Sequence, residues 1–205
     1  MTNTTRRSGL QLLLAGVCAA ATADCQSLTQ AQKDSALRYL AETRAGVVDA
    51  VSGLSETQWK FKPAADRWSA AEIVEHLALV ENMLVQNILA NIEKAPPPAA
   101  GGDPTRIDAM LLAKVPDRTT KLQAPAVIAP TGRWIPSVSL ERFLADRAQT
   151  VAILETTADL RQHVINHPAL GPLDGYQWVL AVAAHSARHT KQILEVKADP
   201  GFPAN

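Results

Sequence analysis

Two stretches of the chain begin a helix in the same way, and they limit what it can fold into. At Ser69 a short hydroxyl side chain precedes an apolar-periodic run, Glu72 stands three residues on, and Trp68 can pack against Ile73. This is a capping box with a hydrophobic staple, which fixes both where a helix starts and the angle at which the chain joins it. The pattern recurs with Asp174 as the cap, Gln177 three residues later, and Leu173 able to pack against Trp178. The first of these helices should run to about Lys94, where "APPPAAGGDP" stops it, a rod of roughly 39 Å at 1.5 Å per residue. The other should run to about Val196, ahead of "DPGFP".

Two more segments have helical periodicity. One spans Thr29 to Ser52, with Leu37, Leu40, Val47, Val48 and Val51 along one side, and "LSETQWKFKPAADRW" ends it. The other spans Leu140 to Ala158, with Leu140, Leu144, Val151 and Leu154 on one face. Residues 95–138 are irregular: prolines and "GG" open them, "RIDAMLLAKV" fits a short helix, and "APAVIAPTGRW" reads as extended. So long a connection should pack across the outside or cap one end. There is no convincing strand alternation and no internal repeat. With 205 residues, 47% of them apolar, the chain can build one core. The expected class is all-α, a four-helix bundle with a long irregular connection between its second and third helices.

Residues 1–23 read as a signal peptide: Arg6 and Arg7, the apolar "LQLLLAGVCAAATA", and the small-residue site Ala21–Ala23. The apolar run is short of the ~20 residues of a membrane span, so no stable membrane insertion is expected after cleavage. "TRRSGLQL" weakly resembles a twin-arginine signal. The mature chain, residues 24–205, would carry 18 basic and 20 acidic residues, a net charge of −2. No basic excess exists to grip a polyanion, so nucleic acid is not an expected partner. Cleavage also removes Cys18 and leaves Cys25 alone, so the core must hold by packing without an internal disulfide. The expected location is outside the cytoplasm, periplasmic or secreted.

On the last helix Trp178, Ala181, Val182, His185, His189 and Gln192 follow the helical repeat, which puts both histidines on the inward side. On the second helix the inward stripe is Ile73, His76, Val80, Met83 and Asn87. If these helices are neighbours, three imidazoles meet in an apolar interior, which is costly unless something satisfies them. A divalent ion does so, and three protein nitrogens leave a position open, as in catalytic zinc sites. Imidazole ligation suits zinc, nickel, copper or iron, with zinc or nickel the expected ions. The alternative is polar residues at a suggestive spacing, since "HSARHTKQI" lacks the glutamate of an HExxH helix. His163 and His167 repeat the spacing, but at the end of the third helix or in the loop beyond it, with Pro168 following at once, where a structural or exposed role fits. Arg188 could reach an anionic substrate, although an ion pair with an acid is the more ordinary role.

"LSETQWKFKPAADRWSAAEIVEHLALVE" resembles the DinB-like (YfiT-like) four-helix proteins, with their loop "W-S", a Glu three after the Ser, and "H-L" in the second helix. "APAVIAPTGRW" resembles the extended segment of one branch of that family, and "HSARHTKQI" its terminal helix. The similarity spans about residues 30–197. It implies a divalent metal held by three histidines, matching His76, His185 and His189, and a tendency to form homodimers. Described members of that family include thiol-dependent S-transferases and a maleylpyruvate isomerase, in which the metal activates a low-molecular-weight thiol. An open position on a Lewis-acidic ion makes a metal-dependent enzyme on a small molecule the leading expectation, with hydrolysis or thiol S-transfer the candidate reactions. Such thiols are cytosolic, so the signal peptide speaks against thiol transfer here. The rival reading is a metal-binding stress or interaction protein without turnover.

Overall fold

The computed structural model describes residues 27–99, 101–121 and 123–204. The signal peptide assigned to residues 1–23, and Cys25, lie outside the described residues. Four long helices form the bundle: α1 (Gln30–Val51), α3 (Ala70–Met83), α5 (Pro136–Thr156) and α6 (Gly175–Lys197). Two short helices, α2 (Glu56–Lys60) and α4 (Pro104–Lys114), sit in the connections. α3 packs most extensively on α5 and α1 on α6, and contacts of α3 with α6 and of α1 with α5 close the ring.

The helix starts follow from local chemistry. Ser69 and Asp174 each accept a hydrogen bond from the third helical amide, while the side-chain oxygens of Glu72 and Gln177 accept one from the cap amide. The same box opens α1 at Thr29 with Gln32, and α2 at Ser55 with Gln58. α5 begins at Pro136, four residues before the expected Leu140, because a proline suits the first helical position, where no amide partner is needed.

The second helix of the sequence reading does reach Lys94, but not as one α-helix. After Met83 it widens to a π turn over Leu84–Ile88 and tightens to a 3-10 turn over Leu89–Lys94. Leu84 and Leu89, both buried, stand five apart and are joined by the i→i+5 hydrogen bond of the π turn, from the Leu89 amide to the Leu84 carbonyl, which keeps both on the core. The side chain of Asn87, expected on the inward stripe, lies outside what is described.

The chain also holds a hairpin that the sequence does not announce. β1 (Val164–His167) pairs antiparallel with β2 (Gly171–Asp174), Val164 opposite Asp174 and His167 opposite Gly171. Four residues per strand are too few to show an alternation. The hairpin delivers Asp174 straight into its cap position on α6.

The apolar interior has two clusters. One gathers Leu40, Leu84, Leu111, Leu154, Leu173 and Trp178; the other gathers Val47, Ile73, Leu77, Phe143 and Ile193. The long connection after α4 is tied to the bundle over α6 and α3. Arg188 donates to the carbonyls of Asp117 and Thr120, Lys191 to that of Pro116, and Arg118 grips the Glu195 carboxylate with two hydrogen bonds.

Candidate metal centre

α3 and α6 are neighbours, so the inward stripes meet, and His76, His185 and His189 come together. One ring nitrogen from each lies within 4.8 Å of the others. The Nε2 of His185 is 3.2 Å from that of His76 and 3.1 Å from that of His189. His76 and His189 are buried and His185 is half-buried. No carboxylate or thiol joins this group among the described residues.

Hydrogen bonds set the proton positions. His76 Nδ1 is 2.7 Å from the carbonyl oxygen of Ile128, which can only accept, so Nδ1 carries the hydrogen and Nε2 of the neutral ring is a bare lone pair. His189 Nδ1 is 2.8 Å from Gln192 Oε1. That amide oxygen also accepts from Arg118 at 3.3 Å, and a guanidinium only donates, which fixes the amide's orientation. His189 therefore also donates from Nδ1 and turns a lone pair inward. Both lone pairs face His185 Nε2. His185 Nδ1 is buried with no hydrogen-bond partner among the described residues.

Burial, then the charge of the neighbouring imidazoles, holds His185 and His189 well below the ordinary histidine range. Burial lowers His76 too, against the opposing pull of the Ile128 carbonyl. Neutral imidazole is the form that ligates a metal. Nitrogens bound tetrahedrally at about 2.0–2.1 Å stand roughly 3.3 Å apart, close to the spacing seen here. The donor set thus fits a divalent ion, which would accept the inward lone pairs of His76 and His189 together with one from His185 Nε2.

Several residues that position this group carry no motif. Glu75, buried beside His76 in sequence, accepts from the amides of Thr131 and Gly132 at 2.9 Å each and from Arg133 at 3.4 Å. It anchors the segment whose Ile128 carbonyl holds His76, and Gly132, at φ 71°, supplies the left-handed turn. Trp68, placed by the sequence as a staple, packs on the Ile73 cluster and also against two rings of the triad. Its ring centroid lies 4.9 Å from that of His76 and 6.2 Å from that of His189. Gln192 is on the inward stripe as expected; its role as acceptor for His189 emerges only with Arg118 in place.

The other histidines lie elsewhere. His163 donates to the Ala95 carbonyl at 2.6 Å, and His167 accepts from the amides of Ala169 and Leu170 while its ring packs on Trp178. Both lie beyond the third helix, in the hairpin and its approach. Arg188 binds main-chain carbonyls where the sequence favoured an acid.

Comparison with known proteins agrees with this architecture. The chain is similar to the uncharacterized protein YuaE of Bacillus subtilis strain 168, with 27% identity over 158 residues, 76% of this chain and 93% of that protein. Among solved structures it is similar to YfiT from Bacillus subtilis, described as a probable metal-dependent hydrolase with an unusual four-helix bundle topology. The TM-score is 0.58 at 19% identity, covering 87% of this chain and 93% of that one, a likeness of fold. The family model of the DinB superfamily matches residues 39–193, and the chain belongs to that superfamily.

Proposed function

We propose that His76, His185 and His189 bind one divalent ion, zinc or nickel, through Nε2, and that the protein is a metal-dependent enzyme acting on a small molecule at the remaining coordination position. The observation that carries this reading is the convergence of three Nε2 atoms, two of them with lone pairs fixed inward by the Ile128 carbonyl and Gln192. A bound ion would supply Lewis-acid chemistry, acidifying a water or thiol and polarising an electrophile. The chain's own residues do the rest: Ile128 and Gln192 orient rings, and Trp68 shields two of them from water. Hydrolysis is the preferred reaction. The fold neighbour YfiT carries that description, and export, which we also propose, removes the protein from cytosolic thiols.

Elemental analysis of the purified full chain after zinc or nickel loading tests the ligand set. One ion per chain is expected, lost in His76→Ala and His189→Ala. A wild-type chain that retains no divalent ion, or a His76→Ala chain that retains one, overturns the assignment. Added azide or a small thiol should change the visible spectrum of the cobalt-loaded protein. An unresponsive spectrum would favour metal binding without turnover. N-terminal sequencing of protein from its native host tests export, with Asp24 the expected first residue and an intact residue 1–23 the contrary result.

A further inference from the structure

The centre of the bundle holds an ion pair that the proposed chemistry does not use. Arg147 on α5 is 1% exposed and Glu81 on α3 is fully buried. Their contact is a bidentate fork, Nε to Oε1 at 2.7 Å and the second guanidinium nitrogen to Oε2 at 3.0 Å. Arg147 also donates to the Leu40 carbonyl at 2.9 Å, to Thr43 Oγ1 at 3.0 Å and to Ser186 Oγ at 2.8 Å. All five of its N–H groups are therefore used, and they reach α1, α3 and α6 from α5. Thr150 adds a donor to Glu81 at 3.0 Å.

Two of these contacts bear on the histidines. Glu81 lies five residues after His76 on the same helix, and Ser186 immediately follows His185. A helix is stiff along its axis, so fixing Glu81 and Ser186 to one planar guanidinium fixes the axial offset of α3 against α6. That offset decides whether His76 meets His185 and His189. The surrounding Leu, Val and Ala side chains set it weakly, because apolar contacts are non-directional and similar side chains recur each turn. A slip of one turn is about 5.4 Å, more than enough to break contacts of 3.1–3.2 Å. Buried polar groups are best attested as registry devices of this kind, while adding little net stability.

We infer that Arg147 and Glu81 are positioning residues for the three-histidine centre: they hold α3 and α6 in the one register that brings the three Nε2 atoms together. This rests on the metal reading above. The pair can be removed without leaving orphans, because the other groups have acceptors within their own helices. Thr43 donates to the Tyr39 carbonyl at 2.9 Å, Thr150 to Asp146 at 3.1 Å and Ser186 to Val182 at 3.1 Å.

The test compares the full chain with its Glu81→Leu/Arg147→Met double variant. Helical circular dichroism and the metal-free thermal midpoint report folding; zinc affinity by competition with a chromophoric chelator reports the site. The double variant should stay helical, with a midpoint at or above wild type, yet bind zinc at least tenfold more weakly, and its cobalt spectrum should change. Affinity within threefold of wild type in the folded variant overturns the proposal. Should the double variant fail to fold, Ser186→Ala decides, since it cuts only the link to α6: at least threefold weaker zinc binding supports the inference, and a smaller change overturns it. Failure of the metal reading itself would look different, as a wild-type chain that binds no zinc at all.

Discussion

His76, His185 and His189 differ in what lies behind each ring. The carbonyl of Ile128 and the amide of Gln192 hold two of them, while the outer nitrogen of His185 has no partner among the described residues. Partners of this outer kind fix the ring and raise its basicity, and losing one typically lowers metal affinity about 10- to 100-fold. Gln192→Leu should therefore weaken zinc binding within that range, read by chelator competition, while replacing His163, whose ring bonds the Ala95 carbonyl away from the triad, with alanine should leave metal content unchanged. The metal-free protein has a pH signature too. Because burial depresses His185 and His189 in the folded state, the unfolded chain binds more protons just below the ordinary histidine value of about 6.5. Stability is therefore unaffected above that value and falls as pH drops below it, by at most about 1.4 kcal/mol per pH unit for each histidine. Urea midpoints of the metal-free chain between about pH 7.5 and pH 5.5 should decline. They should decline less in His185→Gln, and an equal decline in both proteins would contradict the assignment.

At the scale of elements, the two capped helices share a design but not a context. Ser69 exchanges hydrogen bonds with the first turn of α3, and its loss to alanine should cost about 1 kcal/mol. Asp174 does the same for α6 and in addition takes Arg161 at 2.9 Å, a buried guanidinium that also holds Asp108. Removing it breaks part of a buried ion pair, a class of change that costs about 3 kcal/mol or more. In denaturant titrations of the metal-free protein, Asp174→Ala should be the more destabilised of the two. Ser69→Ala should weaken zinc binding more, because His76 lies about two turns from its cap and His185 about three. Equal midpoints would show that Arg161 is satisfied by Asp108 alone. The legibility of the sequence divides along the same line. Caps, apolar stripes and the inward direction of His76, His185 and His189 are local and periodic, so they can be read. The buried face of α5 is not, because it consists of Ser139, Phe143, Asp146, Arg147, Thr150 and Leu154, most of them polar. An apolar template places Leu140, Leu144 and Val151 there instead, and these are only half-buried. Glu75 and Arg118 escape for another reason: their partners are 56 or more residues away.

For the whole molecule, the site and the core cannot be separated. The triad spans α3 and α6, His76 takes its orientation from the connection after α4, and Glu75 ties that connection back to α3. An ion shared by these segments would cross-link elements far apart in sequence, and a ligand that binds only the folded state stabilises it by mass action. At free metal about 100 times the dissociation constant the gain is about 2.7 kcal/mol. A domain of this size shifts its thermal midpoint by roughly 2–4 °C per kcal/mol, so zinc saturation should raise the midpoint by about 5–11 °C. Chelator should reverse the rise. The control is His76→Ala, whose midpoint should be indifferent to both zinc and chelator while its helical signal persists, because the four helices pack through the two apolar clusters and through Arg147 without any ion. A zinc-induced rise that survives in His76→Ala would locate the ion elsewhere in the molecule. Coupling should also appear at a distance from the ligands. Glu75→Gln keeps the shape of the side chain but removes the charge that receives three amides, so the Ile128 carbonyl is less firmly placed. Its metal-free midpoint should fall by several degrees, at about 1.5–3 kcal/mol for a lost hydrogen bond to a charged group. Its zinc-dependent rise should also shrink, by about half if zinc affinity falls about tenfold. A rise of wild-type size would show that Glu75 supports the fold and not the site.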